Sequence, residues 1–240
     1  NLDDPQQIKG DDVELAKRVT GINVIVGGHT HTLCPKPQQV RGTLIVQAGA
    51  YGAHVGVMDL TVEGGKATLA RYDMVAVDAG IAGDPAVQIM VDQAIDQLNR
   101  LVLAEKGLHY YKMLAKSRFD LTLEPRDSNL GNMVTDAIRW SIDRAERDKS
   151  GRRTDVAFES LGLIGDDILK GMNRSLTVAD CFRAVPWGIG MYDEDPGYPL
   201  VSFYLNALEI KRTLEVFTSV APIKGNDYAI QVSGLKFRYN

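Results

Sequence analysis

The strongest constraint on the fold is a short apolar run at residues 22–26 that ends in two glycines. Its sequence, INVIV, is rich in β-branched residues and is typical of a buried β-strand. Gly27 and Gly28 then allow a sharp turn, because glycine adopts backbone conformations that other residues rarely adopt. The pattern predicts a strand followed by a loop, a common position for functional side chains in α/β proteins.

The first third of the chain contains further strand-like runs, with one helix in front of them. The predicted elements are a helix over 11–19 and strands over 43–49, 54–62 and 67–78. Asp11 or Asp12 can cap the helix. The last two strands flank a glycine-rich turn at 63–66, which predicts a β-hairpin.

The character of the sequence changes at residue 84. Asp84 and Pro85 form a typical helix start, and apolar residues then recur every three or four positions as far as Gly107. We predict one amphipathic helix over 84–107 that joins two domains. The predicted division is a first domain at 1–80, a linker at 81–108 and a second domain at 109–240.

The second half mixes helical and strand-like patterns, so the predicted fold class is α/β (α+β). The predictions are a helix over 129–148, a strand over 155–160, a short helix within 176–188, a loop over 191–198, a strand and then a helix over 199–217, and a strand or hairpin over 228–239. The pattern shows no internal repeat and no low-complexity tract.

Composition excludes several classes of protein. The chain is 45% hydrophobic and 24% charged, which excludes a disordered chain. A net charge of −4 gives no electrostatic case for a nucleic acid polymer or an anionic membrane, and no apolar run approaches the roughly 18–20 residues of a membrane span. Cys34 and Cys181 can form a disulfide, although two buried thiols are the favoured interpretation.

Two histidines carry the clearest chemical signal. His29 and His31 follow the predicted strand in the segment GGHTH, and imidazoles at i and i+2 in a loop can address two adjacent metal ions. Taken alone, the pattern also fits two polar surface residues. The other histidines, His54 and His109, are isolated in sequence and are expected to be structural.

The surrounding sequence resembles the end of the metallophosphatase domain in the bacterial 5′-nucleotidase family, which includes UDP-sugar hydrolases and 2′,3′-cyclic-nucleotide phosphodiesterases. The resemblance lies in GINVIVGGHTHT and in the strand TLIVQAG that follows it. Four later segments resemble the C-terminal domain of that family in the same order: 128–138, 155–171, 176–188 and 228–237. The chain, which begins at Asn1, is therefore expected to be a C-terminal fragment of such an enzyme.

The resemblance implies the end of a metallophosphatase β-sandwich flanked by helices, followed by the linker helix and a mixed α/β substrate-binding domain. It implies that His29 binds one of two divalent ions (Mn, Zn, Mg, Ca or Fe) and His31 the other, and that a water between the ions attacks phosphorus. The family's DxH and GNH ligand motifs do not occur in the sequence. No catalytic residue is therefore assigned, and the fragment alone is expected to be inactive.

The resemblance also implies where a substrate binds. Trp187 lies at the place of a phenylalanine that stacks on the base in the family, and the alternative is a tryptophan of the core or of a turn. Ser160 and Asn129 are the other expected substrate contacts. Ser160 stands at the place of the family's asparagine.

Two positions depart from the family pattern. Gly165 stands at the place of a substrate-binding arginine, and Glu124 aligns with another one. Glycine cannot replace a guanidinium that grips an anion. Either the substrate differs, or Arg126, Arg174 or Arg183 supplies the charge.

The expected function is metal-dependent hydrolysis of a nucleotide or related phosphate ester in nucleotide catabolism. The alternatives are a non-catalytic ligand-binding protein on this scaffold and a phosphoesterase with a non-nucleotide substrate. The resemblance implies a periplasmic or extracellular location. Unpaired strand edges of an incomplete sheet predict a possible homodimer.

Overall fold

The structure is a computed structural model that describes residues 10–171, 174–188 and 197–239. The loop predicted over 191–198 therefore lies mostly outside the described residues. The chain divides into two compact units, Asn1–Ile89 and Met90–Asn240. Both helices and strands occur in the described residues, which confirms the mixed α/β class.

The first unit contains a small three-stranded sheet. Its elements are α1 (Asp11–Arg18), β1 (Val24–Val26), β2 (Gln38–Val40) and β3 (Thr43–Val46). Strand β3 is central, parallel to β1 and antiparallel to β2. All four residues of β3 are buried. Ala16 of α1 packs with Cys34 and Ile45 beneath the sheet and forms the core of this unit.

A long antiparallel hairpin completes the first unit. It consists of β4 (His54–Glu63) and β5 (Lys66–Ala76), with a register shift between Asp59 and Leu60. The side chain of Asn23 fixes the hairpin turn, because its Nδ2 donates to Gly65 O at 3.2 Å and its Oδ1 accepts from Ala67 N at 3.0 Å. These bonds tie the turn to the chain just before β1.

Helix α2 (Pro85–Leu98) begins where the sequence predicts and ends earlier. The Asp84 carboxylate accepts from Ala86 N at 2.7 Å, which confirms the predicted cap. Beyond Leu98 the chain continues as a π-helical turn over Asn99–Leu103 and a 3-10 turn over Ala104–Lys106. No residue of α2 is buried.

The second unit is built from three helices and four short strands among the described residues. They are β6 (Met113–Lys116), α3 (Asn129–Ser150), β7 (Ala157–Ser160), β8 (Ser175–Thr177), α4 (Val178–Ala184), α5 (Ala207–Lys224) and β9 (Ile230–Ser233). Strand β6 pairs with β8 and β7 with β9, both antiparallel. Leu130, Ile164 and Ile168 lie at the centre of its core.

Helix α3 is fixed at its start by a buried polar cluster. Ser128 caps the helix by accepting from Gly131 N at 3.0 Å, and its hydroxyl donates to Gln231 Oε1 at 3.1 Å. Gln231 also donates to Arg126 O at 2.7 Å. A Cβ on Gly131 would overlap the Gln231 side chain, so glycine permits β9 to approach the helix.

Several sequence predictions are confirmed and others need correction. The hairpin, α1, α3, α4 and the thiol state of both cysteines agree with prediction. The cap residue of α1 is Gly10 rather than Asp11 or Asp12, and both aspartates lie inside the first turn. The described residues 199–206 do not form the predicted strand. Strands β2, β6 and β8 are not among the predicted elements.

We expect Ile168→Ala to lower the free energy of unfolding by about 2–5 kcal/mol, because Ile168 is fully buried and its truncation leaves a cavity. The adjacent Leu169 is 61% exposed, so Leu169→Ala should change it by less than about 0.5 kcal/mol. Urea unfolding followed by circular dichroism measures both. If Ile168→Ala and Leu169→Ala lowered the free energy of unfolding by the same amount, the described core would be contradicted.

Candidate metal-binding and substrate-binding residues

We call residues 27–34, the first part of the connection between β1 and β2, the histidine loop. Thr30 N donates to Gly28 O at 2.6 Å, so the chain turns tightly before the second histidine. His29 and His31 both have left-handed backbone conformations, with φ values of 56° and 55°. Such a conformation costs about 1–2 kcal/mol for a residue with a Cβ, so other contacts must hold the loop.

Main-chain hydrogen bonds to β3 and its continuation supply part of that support. Gly27 N donates to Val46 O at 2.8 Å, and Cys34 N donates to Gln47 O at 3.0 Å. Gly49 N donates to Thr32 O at 3.1 Å. The loop is therefore attached at its start and at its end, and the segment that carries the two imidazoles lies between these attachments.

One side-chain contact reaches the middle of the histidine loop. Thr30 Oγ1 lies 3.1 Å from Gln47 Oε1, to which it donates, and 3.0 Å from Thr32 Oγ1. Gln47 is only 3% exposed. Its Nε2 is buried and has no hydrogen-bond acceptor among the described residues.

The first turn of α1 also contacts the loop. A Cβ placed on Gly27 would lie 2.6 Å from Asp12 Oδ2, which is closer than real contacts allow. Glycine at this position therefore permits the Asp12 carboxylate to lie against the backbone two residues before His29.

Both imidazoles face solvent. The ring of His31 lies edge-on to that of Tyr51, with 5.4 Å between the centroids and 62° between the planes. In the part of the chain that the structure describes, no group of three or more His, Cys, Asp or Glu residues is arranged to hold a metal ion. Two exposed imidazoles are suitable nitrogen donors for a divalent ion, so the residues present fit part of a metal site.

Trp187 belongs partly to the core of the second unit. Its indole Nε1 donates to Leu163 O at 2.6 Å, and its half-buried ring packs against the core of that unit. The ring is thus oriented by a hydrogen bond. Its role in base stacking stays a prediction.

The polar groups of Ser160 and Asn129 already have partners within the protein. The Ser160 hydroxyl donates to Asp227 O. Asn129 donates to Asp120 O at 2.9 Å and accepts from Thr122 N at 2.7 Å. These contacts shape the second unit, and the predicted substrate contacts of both residues remain untested.

The carboxyl group next to Ser160 is partly removed from water. Burial raises the pKa of the Glu159 carboxyl, and a hydrogen bond from Ser160 N opposes the rise. Strand β7 therefore ends in a carboxyl group that is less acidic than an ordinary glutamate.

Gly165 lies against the main chain that follows α4. Its N–H donates to Ala184 O at 2.7 Å, and a Cβ would overlap Arg183 O and lie 2.9 Å from Pro186 Cδ. The position therefore has no room for any side chain in this backbone arrangement. An arginine at this position, which the resemblance leads one to expect, would not fit this packing.

The nearby charged residues have local partners. Arg183 lies 3.1 Å from Asp180 and 3.9 Å from Asp166. Asp180 forms a capping box with Thr177 at the start of α4. Asp167 accepts from Leu123 N at 2.8 Å. Asp180 therefore acts as a helix cap, and Asp167 fixes the backbone of a segment that is distant in sequence.

Sequence reasoning missed Gln47 and Thr30 as partners. The available signal was a glutamine within TLIVQAG, since a polar residue in a buried apolar run needs a hydrogen-bond partner. The identity of that partner depends on the pairing of β1 with β3, which the sequence does not display.

A sequence profile of the 5′-nucleotidase C-terminal domain matches residues 109–240, more than half of the chain. The chain therefore belongs to the 5′-nucleotidase C-terminal domain family, which confirms the resemblance seen in the sequence.

Two curated relatives extend the comparison. The trifunctional nucleotide phosphoesterase protein YfkN of Bacillus subtilis is 27% identical over 237 residues, which cover 95% of this chain and 14% of that protein. The snake venom 5′-nucleotidase of Naja atra is 25% identical over 206 residues, which cover 76% of this chain and 38% of that protein. The chain thus spans well under half the length of these two relatives.

A solved structure supports the fold. The sulfate thiohydrolase SoxB of Thermus thermophilus superposes with a TM-score of 0.61 at 23% identity, covering 93% of this chain and 38% of that one. The superposed residues come from both units of this chain. At 23% identity, the similarity concerns the fold alone.

We expect Gly165→Ala to lower the free energy of unfolding by about 1–3 kcal/mol, because the added Cβ overlaps Arg183 O. Gly83 has no heavy atom within 4 Å of an added Cβ, so Gly83→Ala is the matched control and should be nearly neutral. Thermal unfolding of both variants gives the comparison. If Gly165→Ala does not change the free energy of unfolding, residue 165 has room for a side chain, and the close contact with Arg183 O is contradicted.

Proposed function

We propose that this chain is part of a metal-dependent phosphoric ester hydrolase that acts on a nucleotide or a related phosphate ester. The observation that supports this most directly is the position of His29 and His31, exposed on one loop at the carboxyl end of β1, in a chain of the 5′-nucleotidase C-terminal domain family. Relatives of this chain carry the names phosphoesterase and 5′-nucleotidase.

In this proposal His29 and His31 each donate one imidazole nitrogen to a divalent ion. Bound divalent ions would supply Lewis-acid stabilisation of the negative charge on a phosphate ester. The chain's own contribution is the backbone of the histidine loop, which the main-chain bonds to β3 and its continuation attach at its start and at its end. The remaining ligands would come from the DxH, GD and GNH motifs of the family, and residues 1–240 contain neither DxH nor GNH.

The second unit would bind the organic part of the substrate. Trp187 offers a ring that is held at its indole nitrogen by Leu163 O, and aromatic stacking suits a nucleobase. Ser160 and Asn129 would be the other substrate contacts, as the resemblance to the family implies.

One observation favours a second candidate, a phosphoesterase with a non-nucleotide substrate. Gly165 has no space for the arginine of the family, and Arg183 is engaged with Asp180 and Asp166. A pocket without that guanidinium would hold an anionic group less strongly, so the substrate ranking can differ from that of a 5′-nucleotidase.

We further propose a periplasmic or extracellular location, which the venom 5′-nucleotidase among the relatives supports. Among the helices that the structure describes, none combines the length and hydrophobicity of a membrane span. A homodimer through open strand edges stays a prediction, which a monomeric mass in light scattering would contradict.

We expect the double variant His29→Ala, His31→Ala to abolish metal-dependent hydrolysis in a polypeptide that joins this chain to the family's other ligand motifs. Two ligands would be lost, so the rate should fall by at least about 100-fold. Phosphate release from AMP, a cyclic nucleotide and an aryl phosphate with Mn²⁺ measures it. The isolated and exposed His109→Ala serves as control. Full activity in the double variant would refute the metal role.

We expect AMP to quench the fluorescence of Trp187. The chain has two tryptophans, so Trp140→Phe leaves Trp187 as the single reporter and Trp187→Phe leaves the exposed Trp140. Quenching in the first variant and none in the second would support base stacking. Quenching by glycerol phosphate but not by AMP would favour the non-nucleotide substrate.

A further inference from the structure

Gln47 is a polar residue at a buried position, where an apolar residue is usual. It directly follows β3, all of whose residues are buried, and is itself 3% exposed. Its Nε2 is buried without an acceptor among the described residues. A buried amide donor without a partner is destabilising, so a leucine of similar length would suit the core better. The presence of glutamine therefore needs a reason other than core packing.

Among the described residues, the one side-chain hydrogen bond of Gln47 leads to the histidine loop. Its Oε1 accepts a hydrogen bond from Thr30 Oγ1 at 3.1 Å. Thr30 is the residue between His29 and His31, and both histidines have unfavourable left-handed backbone conformations. Fixing Thr30 from the buried side therefore restricts the backbone of both neighbours at once.

On the outer side of the loop, the ring of His31 lies edge-on to the exposed ring of Tyr51. The main-chain bonds to Val46 and Gln47 attach residues 27 and 34, at the two ends of the loop. Thr30, His29 and His31 are all exposed. Without the bond to Gln47, the two imidazoles would lie on a segment whose closest main-chain attachments are at Gly27 and Thr32.

We propose that Gln47 is the positioning residue of the His29–Thr30–His31 segment, and that it holds the two imidazoles in the arrangement that a divalent ion requires. This inference rests on the proposed metal role of the two histidines. Outer residues that orient metal ligands typically affect metal affinity by 10- to 100-fold. Gln47 acts through Thr30 and does not itself bind the ion.

The proposal predicts that replacing Gln47 lowers the metal affinity of the protein much more than its melting temperature. Gln47→Leu removes the hydrogen bond to Thr30, which is unfavourable, and also removes the unpaired amide donor, which is favourable. These effects oppose each other, so we expect the melting temperature to change by less than about 4 °C. Metal affinity should nevertheless fall by about tenfold or more.

The experiment is a Zn²⁺ titration of a polypeptide that joins this chain to the family's other ligand motifs, followed by the imidazole resonances of His29, His31, His54 and His109 in NMR spectra. His54 and His109 lie elsewhere in sequence and serve as internal controls. In the unchanged protein we expect saturable shifts at His29 and His31. In Gln47→Leu the same shifts should require at least about tenfold more Zn²⁺.

A second pair of variants tests the same hydrogen bond from the exposed side. Thr30→Val removes the hydroxyl and should weaken Zn²⁺ binding as Gln47→Leu does. Thr30→Ser keeps the hydroxyl and should bind Zn²⁺ like the unchanged protein. The double variant Gln47→Leu, Thr30→Val should be no weaker than either single variant, because both remove one shared bond.

The outcomes distinguish this inference from the proposed function. If Zn²⁺ does not shift His29 or His31 in the unchanged protein, the proposed metal role fails. If Zn²⁺ binds the unchanged protein, Gln47→Leu and Thr30→Val equally well, the metal role stands and the positioning role is refuted. If Gln47→Leu unfolds at a much lower temperature while Thr30→Val binds normally, Gln47 is a core residue only, and the inference is also refuted.

Discussion

The parallel pairing of β1 with β3 is the interaction on which the candidate metal site depends. The two strands stay in register as far as Val26 and Val46. The next hydrogen bond, from Gly27 N to Val46 O, attaches the start of the histidine loop to the end of β3. The two histidines therefore leave the sheet at a fixed point beside the continuation of β3. Because Gln47 belongs to that continuation, the same strand pairing also brings the buried amide to Thr30.

The second unit is organised differently, since side chains rather than long strands hold its segments together. Asp120 accepts from Lys170 N at 2.9 Å, Asp167 accepts from Leu123 N, and Asn129 holds the backbone between them. These bonds flank the bridge between Leu121 and Ile168. Residues that a motif comparison assigns to substrate binding can therefore also hold the segments of the unit in place, and their replacement will affect both properties.

Local signals explain which elements the sequence could predict. The hairpin follows from EGGK between two β-branched runs, and α3 follows from a regular apolar spacing with Ser128 in front of it. The position of His29 and His31 just beyond a strand was likewise readable. In each case the deciding interactions join residues close together in the chain.

Interactions between distant residues explain the rest. The overlap of Gly165 with Arg183 O and the bond between Thr30 and Gln47 join segments that are distant in sequence. Strand β2 is a different case, because it pairs with β3 across the two-residue turn at 41–42 and its sequence, QQV, has a weak strand signal of its own. The predicted helix over 84–107 changes to π and 3-10 turns after Leu98, a change that apolar spacing does not encode.

The central claim is that the histidine loop binds a divalent ion in a phosphoesterase. Crystals of a polypeptide that contains this chain, grown with Zn²⁺ and measured at the zinc absorption edge, would test it most directly. The account predicts anomalous density about 2.1 Å from one nitrogen of His29 and from one nitrogen of His31, at two adjacent ions. Ordered zinc elsewhere in the protein, with both imidazoles turned away from it, would contradict the account.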